Sequence, residues 1–209
     1  PGYGLSGFQE DRTYLDWPDD ISELADHLNI DRFAVLGWSS GGPYAAAVAH
    51  GIPQRLTVAA SDSGEAPNAS DDLPQAVLAG DTFSGSGINK LVIWSANNGP
   101  WLMRAFLRLT LILIFRDPVG LMESSGDATM SAKDIEFFKR SEYVAAQMEA
   151  LRQGVEGAVR DFTIERIDWP FELEDIQVPV LVFHGAEDGG VDPMVGEYMC
   201  TRIPSCDEP

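Results

Sequence analysis

The segment Phe33–Trp38, Ser39, Ser40–His50 constrains this chain more than any other. Phe33-Ala34-Val35-Leu36 is an unbroken apolar run of the kind parallel strands show when both faces are covered. Gly37-Trp38-Ser39-Ser40-Gly41-Gly42 follows at once, and Tyr44 to His50 is Ala-rich and reads as a helix. Upstream, Asp16-Trp17-Pro18-Asp19 supplies a capping acid, an early proline and negative charge for a helix start. Ile21, Leu24, Ala25 and Leu28 then repeat at helical spacing. The local order helix, strand, sharp turn, helix is half of a doubly wound α/β unit.

Two further buried strands are expected at Leu56 to Ala60 and Val178 to Phe183, each followed by a polar or glycine-rich turn. Ligand sites favour such strand ends. Between them, Asp62 to Phe171 shows helical rather than strand periodicity. Val144, Met148, Leu151, Val155 and Val159 fall on one face of a helix, Ser131 to Asp134 offers a cap for the one before it, and Trp101 to Phe115 reads as a core-facing helix. Thr82 to Gly87 reads as a flexible loop. The expected architecture is an α/β parallel sheet with a core of residues 1–62 and 172–209 and a helical insertion over 63–171.

Gly37-Trp38-Ser39-Ser40-Gly41 matches G-x-S-x-G, in which glycines let a strand turn sharply into a helix with the serine exposed at the tip. The helix start directs backbone N–H groups toward that serine, so the Ser40 amide is placed to stabilise an oxyanion. Trp38, beside Ser39, is a candidate wall of the substrate pocket. Phe83, Trp94, Trp101 and Phe106 are candidates for the same lining or for ordinary packing.

These motifs, with Pro1-Gly2-Tyr3-Gly4-Leu5-Ser6, Trp169-Pro170-Phe171 and His184-Gly185-Ala186-Glu187-Asp188, resemble in order the α/β-hydrolase family, specifically its lid-bearing members that cleave small esters. The resemblance implies Ser39 as nucleophile, Asp188 as the triad acid, and 63–171 as the lid. Glu187, Asp192 and Asp62 are fallback acids. The implied reaction is two-step hydrolysis of a small ester or related acyl bond. A non-catalytic ligand-binding protein on the same fold, or a cofactor-free perhydrolase, is the alternative.

The triad order of this fold is serine, acid, histidine, yet no histidine follows Asp188. His27 and His50 lie on early helices. His184 precedes the acid turn and reads as structural, with service as the base its alternative. The expectation is therefore that the histidine lies past Pro209, that the first strands precede Pro1, and that the 209 residues alone lack activity and are prone to aggregate.

No cofactor is implied. Gly2-x-Gly4-x-x-Gly7 fits the dinucleotide fingerprint only formally, because no strand precedes it and no helix opens on it, and no metal-binding spacing occurs. A net charge of −19 with three lysines argues against nucleic acid as a partner, because its phosphates need Lys and Arg in a patch. A small-molecule substrate is the expected partner. Such an acidic excess fits either a protein of a salt-loving organism or an ordinary acidic one, and it predicts stability that rises with salt. No stretch is long and apolar enough for a membrane span. Two cysteines, Cys200 and Cys206, are too few for a disulfide framework and suggest reduced thiols in the cytoplasm.

Overall fold

The computed structural model describes residues 1–67, 99, 101–102, 104–106, 108–109, 136–137, 139–165, 168–186, 188 and 191–207. Contacts gather the described residues of Pro1–Asp11 and Ser84–Ile164 into one compact unit, and those of Arg12–Phe83 and Glu165–Pro209 into another.

The second unit carries helix α1 (Trp17–His27), strand β1 (Phe33–Trp38), helix α2 (Gly42–Gly51) and strand β2 (Leu56–Asp62). The first unit carries α3 (Ser141–Ala150) and α4 (Glu156–Ile164). Strand β3 (Val180–Phe183), helix α5 (Met194–Arg202) and the short strand β4 (Cys206–Asp207) complete the second. The four described strands form one parallel sheet in the order β1-β2-β3-β4. The α/β fold class expected from the sequence is thus observed.

The helix after the nucleophile motif is rich in alanine because it is covered nearly all round: Ala45 to Ala49 are all buried. Small side chains let α2 lie close against β1, β2 and α1 at once. An aromatic cluster closes the same region, with Tyr14 edge-on to Tyr44 at 4.9 Å, Trp169 against Phe171 at 5.3 Å, and the His50 ring stacked on Phe171 at 4.9 Å. Trp169 and Phe171 therefore serve as core residues of the sheet-bearing unit.

Several local expectations are corrected. Asp16 does not cap α1. Its carboxylate accepts hydrogen bonds from Thr13 N–H and Thr13 Oγ1, closing a capping box around the 3-10 turn Tyr14–Asp16 that precedes the helix. Cover on both faces fails for β1, an edge of this sheet, where Leu36 and Trp38 are exposed. The single helical face from Val144 to Val159 is split: Gly154, at φ +109°, ends the turn between α3 and α4, so that Val155 and Val159 are buried while Met148 is exposed. The two cysteines expected to be reduced are joined as a disulfide across Cα atoms 5.0 Å apart, tying the last turn of α5 to β4. The cysteine count therefore no longer supports a reducing compartment.

In the first unit, Pro1 to Ser6 forms a turn fixed to the following helices. Gly4 N–H donates to the Ala150 carbonyl at 2.8 Å, Gln153 Nε2 donates to the carbonyls of Gly4 and Ser6, and Tyr3 Oη donates to Asp161 at 2.7 Å. Gly2 sits at φ +83°, and a Cβ there would stand 2.7 Å from Gly157 Cα. Gly2, the first glycine of the formal dinucleotide fingerprint, thus serves a close backbone approach to α4. Thr82 to Gly87, Phe83, Trp94, Ser131 to Asp134 and most of the expected 63–171 insertion lie outside the described residues. No helix among the described residues is long and apolar enough to cross a membrane.

Candidate active site

The site is built at the carboxyl ends of β1, β2 and β3. An irregularity near their start sets the register: Phe33 pairs with Leu56 but Ala34 pairs with Val58, leaving Thr57 as an extra residue on β2. Downstream of it, Gly37 stands opposite Ser61, Trp38 opposite Asp62, and Asp62 opposite Phe183. Ser39, Ser63 and His184 consequently leave the sheet side by side. With strands about 4.8 Å apart, the β1 and β3 ends are separated by about 10 Å, with β2 between them.

Ser39 itself is half-buried and has φ +53°, the left-handed region that L-residues other than glycine rarely occupy. A 3-10 turn, Ser39–Gly41, runs directly into α2. The backbone is this tight because of its neighbours: a Cβ on Gly37 would stand 2.1 Å from the Gly41 carbonyl oxygen, and one on Gly42 would stand 2.7 Å from Gly64 Cα. By contrast, a Cβ on Gly41 would meet nothing within 4 Å, and its φ of −78° suits any residue. Gly42, outside the five-residue motif, therefore carries a constraint that the motif's own second glycine does not.

Trp38 is 57% exposed at the end of β1, immediately before Ser39. Ser40 donates its hydroxyl to Glu65 Oε1 at 2.8 Å. Glu65 escaped the sequence reading, since no motif covers the loop after β2.

Asp188 follows β3 in a tight turn closed by its own N–H to the Gly185 carbonyl. Its Oδ1 accepts from Val191 N–H at 3.2 Å, and its Oδ2 lies 3.6 Å from His184 Nε2. That same Nε2 is 2.9 Å from the Val191 carbonyl, which can only accept, so Nε2 is the donor of that bond. His184 is largely buried, and a Cβ on Gly196 would stand 3.0 Å from its Nδ1. The ring thus braces the loop that carries Asp188.

The fallback acids are also placed. Asp192, two residues before α5, accepts from Met194 N–H at 2.9 Å. Asp62 ends β2 between the Ser39 and His184 strands, and Glu187 lies outside the described residues. His27 is exposed on α1, and His50 is packed on Phe171. Among the described residues no group of three acids, histidines or cysteines is arranged to hold a metal.

A parallel sheet whose strand ends carry a strained serine at a strand-to-helix turn and an acid turn two strands away defines a class of α/β enzyme fold. The chain belongs to the alpha/beta hydrolase fold family, whose sequence profile matches residues 1–208. Solved structures share the fold at low identity. An esterase (EaEST) from Exiguobacterium antarcticum aligns with TM-score 0.66 and 16% identity over 100% of this chain and 69% of its own. The esterase RhEst1 from Rhodococcus sp. ECU1013 aligns with TM-score 0.62 and 20% identity over 100% and 68%, respectively. The enol-lactonase from Burkholderia xenovorans LB400 aligns with TM-score 0.55 and 19% identity over 99% and 68%. A comparison with curated proteins returns no match.

Proposed function

We propose that this protein is a serine hydrolase of small esters or related acyl compounds, with Ser39 as the nucleophile. The observation that carries the reading is the left-handed backbone of Ser39 between β1 and α2. Strain of about 1–3 kcal/mol persists at such a position only where the surroundings impose it, and it raises the hydroxyl at the tip of the turn. That two of the aligned structures are esterases and a third an enol-lactonase supports the acyl class of substrate.

In this reading Ser39 Oγ attacks the acyl carbon as a histidine takes its proton, and the Ser40 N–H stabilises the oxyanion. The alcohol leaves with that proton. Water then attacks the acyl-enzyme, giving its proton to the histidine, which returns it to Ser39 Oγ as the acyl–serine bond breaks and the acid is released. Asp188 orients the histidine and stabilises its charged form, while Trp38 lines the substrate side. His27 is exposed on α1, His50 is stacked on Phe171 and His184 is held by the Val191 carbonyl, so none of the three is assigned as this base. The gap of about 10 Å between the β1 and β3 ends is wide enough for an imidazole to bridge hydroxyl and carboxylate.

The test is a fluorophosphonate probe applied to the complete natural protein and to its Ser39→Ala variant, with the labelled peptide identified by mass spectrometry. Label confined to the Ser39 peptide and lost in the variant is expected. Label on another residue, or none, would leave a ligand-binding role on this fold. Product analysis with peroxide present separates perhydrolysis from simple ester cleavage.

A further inference from the structure

We propose that Glu65 is a positioning residue for the nucleophile turn: its carboxylate holds Ser40, and through Ser40 the amide that receives the oxyanion. The inference rests on the reading of Ser39 and Ser40 given above and adds a residue that no motif marks. Its first support is the hydrogen bond from Ser40 Oγ to Glu65 Oε1, 2.8 Å long and joining residues 25 apart in sequence. A hydroxyl donating to a carboxylate makes one of the stronger protein hydrogen bonds, and an ionised carboxylate can only accept.

Its second support is the packing behind that bond. Gly42 and Gly64 are in backbone contact so close that a Cβ on either would overlap the other side: 2.7 Å to Gly64 Cα from position 42, and 3.1 Å to Gly42 Cα from position 64. Ser61 is buried against both, with its Oγ 2.9 Å from where a Gly42 Cβ would stand. Ser63, at φ +49°, donates its N–H to the Phe183 carbonyl at 2.8 Å. The loop after β2 is thus pinned to the end of β3 on one side and to the start of α2 on the other. Glu65 is its last reach toward the nucleophile turn. Anchored in this way, Ser40 cannot swing without breaking a charge-assisted bond, and the oxyanion donor is fixed before substrate arrives.

The experiment measures fluorophosphonate labelling of the complete natural protein as a saturation curve, which separates the limiting rate from the half-saturating concentration. Glu65→Ala and Ser40→Ala should each lower the limiting rate about tenfold, the loss expected for one charge-assisted hydrogen bond, with half-saturation unchanged. The double variant should be no slower than either single one, because both remove the same bond. Glu65→Gln, whose amide oxygen still accepts, should stay within about threefold of the parent. An equal rate in Glu65→Ala, or additive losses in the double variant, overturns the proposal. Should the parent not label at Ser39, the nucleophile reading fails by itself, and amide hydrogen exchange at Ser40 still decides the role of Glu65. Faster exchange in Glu65→Ala but not in Glu65→Gln supports the positioning role, and exchange equal to the parent overturns it.

Discussion

The two glycines of the G-x-S-x-G motif should respond very differently to the same substitution. In Gly37→Ala the new methyl would stand 2.1 Å from the Gly41 oxygen, 2.5 Å from its carbonyl carbon and 2.8 Å from Gly42 nitrogen. Ordinary contacts between such atoms lie near 3.5 Å, so the overlap is about 0.7 Å or more at every one of them. All three are backbone atoms, and no rotamer change relieves the clash. The peptide that joins the nucleophile turn to α2 has to move, at the upper end of the overpacking range, about 3 kcal/mol. For a chain of this size that lowers the melting temperature by about 6–12 °C. In Gly41→Ala the methyl meets nothing within 4 Å and the backbone is already at φ −78°, ψ −18°. Restricting the unfolded chain should then leave the protein unchanged or more stable by up to about 1 kcal/mol. Thermal unfolding of the parent and the two variants, followed by circular dichroism, gives the comparison. Gly41→Ala melting as low as Gly37→Ala, or Gly37→Ala melting within about 2 °C of the parent, would refute the steric argument.

Three further outcomes follow from charge and covalent structure. The hydrogen bond from Arg202 holds the Glu174 carboxyl below the usual glutamate range, so its stabilisation is complete above that range and is lost as pH falls through the lowered value. The pair is partly exposed and screened, so Glu174→Gln should cost under about 1 kcal/mol at neutral pH and narrow its gap to the parent on acid titration, checked by melts between about pH 6 and 3. Reducing the Cys200–Cys206 disulfide, which closes a short loop, should cost about 2 kcal/mol, seen as a lower melting temperature with reductant that Cys200→Ser/Cys206→Ser does not show. With a net charge of −19, the melting temperature should rise from low to molar potassium chloride, and a flat or falling series would remove self-repulsion as a determinant of stability.

The sequence by itself determined the strand, turn and helix around Ser39, because an apolar run, a glycine-flanked serine and an alanine-rich segment are local signals with local causes. It also placed strands at β2 and β3, since runs such as Leu56-Thr57-Val58-Ala59-Ala60 and Val180-Leu181-Val182-Phe183 have few other solutions. Only the tertiary structure decided where partners from distant parts of the chain meet. Gly42 is constrained by Gly64, Ser40 is bonded to Glu65, and Cys200 is joined to Cys206 across a helix and a strand. Asp16 turned back to Thr13 instead of capping α1, because a short carboxylate takes whichever N–H the folded backbone brings within reach. A backbone approach of this kind leaves no mark in periodicity or composition. Ser39 was legible from its neighbours in sequence, whereas Glu65 became visible only when β2 was laid beside β1 in a register set by the extra residue at Thr57.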